Sequence, residues 1–241
     1  MSDTVLMQLL DINVVLVHGG GPEISEMLKK IGKQSRFVNG MRYTDEETMD
    51  IVQMVPAGKI NKSLVNFIEA KGGRAIGLSG MDGRLIEAET KNDKLGYVGS
   101  VTKINPAPIT DLLEKGYIPV ISTLGCDRKG NTYNINGDTA AACIAGALSA
   151  KRLIMMTDIA GVLREKDDPS TLIPEISVKE AEKLRKEGTI SGGMIPKIEC
   201  CIEAINKGVD KVIIMDGRVP HSILTEMLTD EGAGTMVTGD G

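Results

Sequence analysis

Short, unbroken apolar runs recur along the chain: NVVLV (13–17), RAIGL (74–78), YIPVIS (117–122), RLIMMT (152–157) and KVIIM (211–215). Runs of this length without polar alternation suit strands covered on both faces, as in a parallel sheet. Segments of helical spacing lie between them. Ile24, Met27, Leu28 and Ile31 follow an i, i+3, i+4, i+7 pattern, with Pro22 suited to the first turn and Gly32 to the stop. TDEE (44–47) predicts a capping box at Thr44 opening a helix through Met54, and Ser177 with Glu180 predicts another. NKSLVNFIEAKGG, ITDLLEKG, DTAAACIAGALSA and PKIECCIEAINKG supply further helices. Strands alternating with helices of this length predict an α/β fold around a largely parallel sheet with helices on both faces. Between Gly80 and Asn105 the chain turns polar and turn-rich, which predicts a hairpin laid over one end of the sheet as a lid-like insertion. The all-apolar helix ending at Ala150 sets the expected divide between two lobes, 1–150 and 151–241.

Length and composition bound the partners. A chain of 241 residues with 41% hydrophobic content builds a well-buried core. A net charge of -5 and no basic run exclude an electrostatic footprint for nucleic acid or for an anionic membrane surface. Aromatic residues make up 2% of the chain and Trp is absent, so base-stacking platforms are hard to build and small-molecule partners are expected. Cys126, Cys143, Cys200 and Cys201 form no CxxC pair, and His18 and His221 stand far apart, which argues against zinc and for free thiols in a reducing cytosol. The opening MSDTVLMQLLDIN has no basic region or cleavage site, and no apolar stretch reaches about 18 residues, so a cytoplasmic location is expected.

Four stretches carry chemistry. In HGGGP (18–22) three glycines stand where a strand hands over to a helix. Bare backbone N–H groups at a helix N-terminus make an anion site, and missing side chains let an oxyanion approach closely. A phosphoryl group is the expected guest, and the alternative is a tight turn in which the glycines only satisfy backbone geometry. AGKINK (57–62) lacks the glycine and the Ser/Thr of a Walker A loop, and no GxGxxG occurs. NINGDTAAA (134–142) places Asn134, Asn136 and Asp138 before an apolar helix, either as N-caps or as polar groups delivered to a cleft. SGGMIPK (191–197) sets Lys197 behind two glycines, where a lysine neutralises a transferring phosphate or merely lies in solvent. NGMRYT (39–44) offers Arg42 for a bidentate hold on a carboxylate, against the alternative of a surface arginine.

In order along the chain, VLVHGGGPEI, NGMRYTD, GKINK, GLSGMDG, GYVGSV, GYIPVIS, YNINGDTAA, MMTDIAGVL, GGMIPK and IMDGRVPHSILTEMLTDEGAGT resemble the amino-acid kinase family, in particular its branch that phosphorylates N-acetyl-L-glutamate. The resemblance implies a three-layer α/β/α sandwich of the carbamate kinase-like type, with an N-terminal lobe for N-acetyl-L-glutamate and dimerisation and a C-terminal lobe for ATP. It implies transfer of the ATP γ-phosphoryl to the side-chain carboxylate, in arginine biosynthesis, with Mg2+ carried on the phosphates and no protein metal ligands. By the same resemblance Gly20 and Gly21 offer amides to the phosphoryl, Arg42 and Asn134 hold the substrate, Asp138 orients catalytic lysines and Lys197 stabilises the phosphates. Thr157, Asp158 and Gly161 match the turn near the nucleotide. A homodimer, or a hexamer built from dimers, is expected. The C-terminal segment resembles an L-arginine effector site, with His221, Glu226 and Gly232 as its residues, which leaves a catalytically impaired arginine sensor or assembly partner as the alternative. The other reading of that segment is a helix opened by Pro220 and packed through Ile223, Leu224, Met227 and Leu228. Two departures stand out. Family members begin with a Lys-x-Gly-Gly strand, whereas DTVLMQLLDIN (3–13) matches the helix that follows it, so low activity is expected of the chain as given. Met81 stands where many relatives carry lysine.

Overall fold

In a computed structural model, which describes residues 1–38, 40–165, 168–229 and 232–240, the apolar runs form the central strands of two units, Met1–Ala140 and Ala141–Gly241. The first unit opens with α1 (Ser2–Leu9), β1 (Leu16–His18), α2 (Gly21–Lys30), and a short hairpin of β2 (Phe37–Val38) and β3 (Met41–Arg42). There follow α3 (Glu46–Val52), a π-helix (Gln53–Ile60), α4 (Asn61–Glu69), β4 (Ala75–Ser79), β5 (Ile86–Thr90) and β6 (Gly99–Ile104). After α5 (Ala107–Glu114) come β7 (Ile118–Ser122), β8 (Leu124–Cys126), β9 (Thr132–Asn134) and α6 (Gly137–Ala147). The two units part inside α6, whereas the expected divide follows its end.

β1, β7 and β4 form an all-parallel sheet in that order, with Leu16 opposite Val120 and Ala75 opposite Ile118. Side chains alternate between faces, so Ile118 and Val120 share one. There they meet Val5 of α1 and Leu64, Val65 and Ile68 of α4. β7 runs through Thr123 into β8, so a second sheet, β6-β5-β8-β9, begins where the parallel one ends. The predicted hairpin is present as β5 and β6, paired antiparallel from Ile86–Ile104 to Thr90–Gly99, and belongs to this second sheet. A separate cluster joins Ile24 and Leu28 of α2 to Met49, Ile51 and Val52 of α3, Val55 and Leu124.

The second unit holds β10 (Arg152–Thr157), β11 (Glu175–Ser177), α7 (Val178–Lys186), α8 (Met194–Asn206), β12 (Lys211–Asp216), α9 (Ser222–Leu228) and β13 (Gly234–Thr238). β10 and β12 pair in parallel over their full length, β13 joins β12 antiparallel and β11 joins β13 in parallel. Ala181, Leu184, Ile198, Cys201 and Ala204 of α7 and α8 pack with Met155, Val212, Ile214 and Val237. The four cysteines are not joined in disulfides, and three are buried while Cys126 is partly exposed.

Local chemistry corrects three expectations. The first strand spans Leu16–His18 rather than 13–17, because Asp11 adopts a left-handed conformation (φ 58) and residues 12–15 carry the chain from α1 to the sheet. Asp45, not Thr44, caps α3: its carboxylate accepts from Thr48 N–H at 2.9 Å and from Lys33 Nζ at 2.7 Å, which holds its pKa down at about 2. Helix α9 starts at Ser222 behind His221, itself left-handed (φ 60), so Pro220 stands outside it. Ser177 caps α7 as predicted, its Oγ accepting from Glu180 N–H at 3.1 Å.

Candidate active site

β1 delivers the three glycines to the N-terminus of α2, and each is bare for its own reason. A Cβ on Gly20 would lie 2.5 Å from Ile60 Cδ1 and 3.1 Å from Pro56 Cγ, both in the π-helix, so a side chain there would crowd Pro56 and push the end of Ile60 aside. At Gly19 and Gly21 a Cβ would meet nothing within 4 Å. Protein packing does not account for those two, and the main chain there stands open to close approach. π-Helical turns are rare and concentrate at functional sites, and this one contributes Pro56 to the wall of the adjoining cavity.

His18 holds the strand end. Its Nδ1 lies 2.9 Å from Gly19 O and its Nε2 lies 3.1 Å from Asn61 Nδ2. Nε2 therefore accepts and Nδ1 carries the proton, a neutral tautomer. Burial pushes the His18 pKa below 6.5, outweighing the bond to Gly19 and the charge of Glu23. The unfolded chain therefore takes up this proton first as pH falls, so the stability His18 contributes is complete above about pH 6.5 and is lost on acidification through the folded pKa. Melting temperatures recorded from about pH 7 to about pH 5 should fall, and fall less for His18→Gln, which has no such proton to bind. Equal slopes would show that His18 is not responsible.

A cavity of about 220 Å³ opens beside the glycines, lined among others by Gly19, Gly20, Gly21, Arg42, Asn134 and Gly137. Its apolar wall includes Ile24, Phe37, Met41, Val98 and Ile135. Among the described residues Arg42 is its one charged lining residue, and it is only 8% exposed. The guanidinium donates to Ser35 Oγ at 2.7 Å, Gly21 O at 2.8 Å and Ser25 Oγ at 2.8 Å, and lies over the Phe37 ring at 4.8 Å. None of these acceptors is charged, and among the described residues no carboxylate lies within ion-pair distance. Burial lowers its pKa accordingly. A buried cation without a counter-charge in a lined cavity is a site for an anion.

Both asparagines of NING line the cavity, and one of them is also a cap. Asn136 is the cap, its Oδ1 accepting from Thr139 N–H at 3.0 Å and Thr139 Oγ1 at 3.2 Å. Asn134 faces the cavity, with its Nδ2 on Thr44 Oγ1 at 3.1 Å. Asp138 stands in the first turn of α6. Gly20, Gly21, Arg42 and Asn134 are thus brought to one cavity. Sequence reasoning missed Ser25, Ser35 and Thr44, which hold the arginine and the asparagine. Only Ser25, one helical turn beyond Gly21, was within reach of a spacing argument.

In the second unit Thr157 ends β10 and its hydroxyl donates to the adjacent Asp158 carboxylate at 3.2 Å. Arg218, paired with Asp216 at 2.8 Å, holds the Asp158 carbonyl and keeps the Asp216 pKa at about 2. Gly161 (φ 151) has Thr235 Oγ1 at 2.5 Å and Thr235 N at 3.0 Å from where a Cβ would stand, so the turn admits no side chain. Lys197 lies in the first turn of α8, behind Gly192 (φ 54) and Gly193. Near the C-terminus Glu226 Oε2 accepts from Ala233 N–H at 2.9 Å, beside Gly232, while His221 precedes α9. Asp230 and Glu231 of that motif lie outside the described residues.

The sequence profile of the amino acid kinase family matches residues 3–216, and the chain belongs to that family. Acetylglutamate kinase of Clostridioides difficile (strain 630) is 56% identical over 98% of this chain and 83% of its own length. Acetylglutamate kinase of Brachyspira hyodysenteriae (strain ATCC 49526 / WA1) is 52% identical over 100% of this chain and 84% of its own. Among solved structures, smu.665 from Streptococcus mutans UA159 superposes with a TM-score of 0.85 at 31% identity, covering 99% of this chain and 91% of that one.

Proposed function

We infer that the chain transfers the γ-phosphoryl group of ATP to the side-chain carboxylate of N-acetyl-L-glutamate. The relatives support the reaction, and one observation in the site carries it: Arg42, buried and, among the described residues, without a carboxylate partner, beside three glycines at a helix N-terminus. A substrate with two carboxylates suits this pair of features. Arg42 and Asn134 take the end that does not react, and the Gly20 and Gly21 amides meet the phosphoryl group. A carboxylate is already nucleophilic, so the reaction asks for alignment and charge neutralisation rather than a general base. In this reading Lys197 neutralises the phosphates, Asp138 orients catalytic lysines as the family resemblance implies, and Thr157, Asp158 and Gly161 receive the nucleotide. Among the described residues no three His, Cys, Asp or Glu side chains group to hold a metal ion, so Mg2+ would be held by the nucleotide's phosphates.

Three finer points belong to the same proposal. Leu6 and Leu9 of α1 and Phe67 of α4 are 41%, 72% and 57% exposed, and such apolar residues on a surface suit contact with a second copy, making a homodimer the basic unit. Glu226, beside the Gly232 loop, is the carboxylate offered to an L-arginine effector. The enzyme works in the cytoplasm, and among the described residues no helix is long and apolar enough to cross a membrane. The test is a coupled assay for ADP release with ATP, Mg2+ and N-acetyl-L-glutamate, with L-glutamate and L-aspartate as comparison substrates. Any turnover should depend on the N-acetyl compound, and a protein that binds ATP but releases ADP as readily with L-glutamate or L-aspartate would overturn the reading. Sedimentation of the same preparation with and without millimolar L-arginine reads the dimer and any effector-driven change in assembly.

A further inference from the structure

Arg42 and Asn134 reach the cavity from segments far apart in sequence, and one hydroxyl joins them. Thr44 is wholly buried. Its Oγ1–H donates to the Arg42 carbonyl at 2.9 Å, and the same oxygen accepts from Asn134 Nδ2 at 3.1 Å across 90 residues. A hydroxyl has one proton, and here it is committed to Arg42. What remains on Oγ1 is an acceptor, so only the nitrogen end of the Asn134 amide can face it. Among the described residues no donor reaches Asn134 Oδ1, which is left to a ligand.

The main chain keeps Thr44 from yielding. Its N–H donates to Leu95 O at 3.0 Å, and its carbonyl accepts from Tyr97 N–H at 2.7 Å. Asn134 N–H donates to Tyr97 O at 2.8 Å, so residues 95–97 link the two binding segments through isolated backbone bridges. Gly96 permits this approach: it is left-handed (φ 65), and a Cβ there would stand 2.2 Å from the Thr44 carbonyl oxygen.

We propose that Thr44 is a positioning residue for the substrate: its hydroxyl fixes which end of the Asn134 amide meets the ligand and ties that choice to the strand bearing Arg42. The inference rests on the reading above that these two residues hold N-acetyl-L-glutamate. Without the hydroxyl the amide is free to turn over, exchanging donor for acceptor at the site. Substrate affinity then falls while the nucleotide is unaffected.

The test is calorimetric titration of the full chain with N-acetyl-L-glutamate and, separately, with ATP. Thr44→Val keeps the shape and removes the hydroxyl. It should weaken N-acetyl-L-glutamate binding about 10- to 100-fold, the range for losing a buried hydrogen-bond partner, with ATP binding unchanged. Thr44→Ser should recover to within about threefold, since it restores the bond. Because Thr44 acts through Asn134, Thr44→Val made on top of Asn134→Ala should add less than about a further twofold loss. Losses that multiply in the double variant, or fall equally on ATP, would reduce Thr44 to a packing residue and overturn the inference. Should Thr44→Val not fold, Thr44→Ala takes its place in the same cycle. A wild-type chain that binds ATP but not N-acetyl-L-glutamate would overturn the substrate reading first and this inference with it.

Discussion

Replacing Arg42 by alanine is expected to cost about 2 to 5 kcal/mol in binding of N-acetyl-L-glutamate, the range for truncating one partner of a buried, hydrogen-bonded charge pair. ATP affinity should stay within about a factor of two, because the change removes one positive charge from one end of one cavity. The expectation follows from the wall around the guanidinium. Ser25, Ser35 and the Gly21 carbonyl hold the fork in place without balancing its charge, and in the proposed reading the substrate carboxylate supplies the counter-charge that the described residues do not. Arg42→Lys should recover little, since a lysine cannot satisfy three acceptors fixed in the plane of a guanidinium. Calorimetric titration with each ligand checks both statements. Equal losses for the two ligands would remove Arg42 from the substrate's site.

Lys197→Ala should lower turnover by a factor of about 10² to 10³, as for loss of one preorganised group that meets charge developing in the transition state. The KM for N-acetyl-L-glutamate should move little, because the lysine is assigned to the phosphates. Its place in the first turn of α8, behind Gly192 and Gly193, gives the assignment its physical basis: backbone amides and a side-chain cation at one helix N-terminus. Steady-state rates at saturating and limiting concentrations of both substrates separate the two parameters. A variant whose KM rises while kcat holds would make Lys197 a binding residue only.

Much of this was legible because the governing physics is local. An apolar run ending in HGGGP declares a strand, a bare loop and a helix start within a few residues, and Ser177 with Glu180 declares a cap. NING was legible in kind but not in detail: both asparagines line the cavity, and only tertiary contacts decide that Asn136 also caps the helix while Asn134 is held by Thr44. Thr44 misled for a related reason. A threonine three residues before a glutamate fits a capping box, but pairing with Leu95 and Tyr97 draws its backbone into a strand-like bridge, and Asp45 takes the cap. The holders of Arg42 and Asn134 left no signature because their partners are set by the fold. The π-helix was illegible for a different cause: Pro56 reads as a helix breaker, and an i→i+5 ladder has no hydrophobic period of its own.

That π-helix also acts as a phase adjuster between two helices. α3, the π segment and α4 run without a break from Glu46 to Glu69, so the number of residues in the middle sets how far α4 is turned relative to α3. Each residue of an ordinary helix turns the chain by about 100°, so gaining or losing one residue between 53 and 60 would swing every side chain of α4 to a new direction. Asn61 would leave its seat under the sheet, where its amide meets His18 and the carbonyls of Leu78 and Val120 and where Gly77 leaves room for its oxygen. Ile68 would leave the core at the same stroke. The segment can accept substitutions at its exposed positions, but it is closed to any change in length, and the glycine loop it supports inherits that constraint.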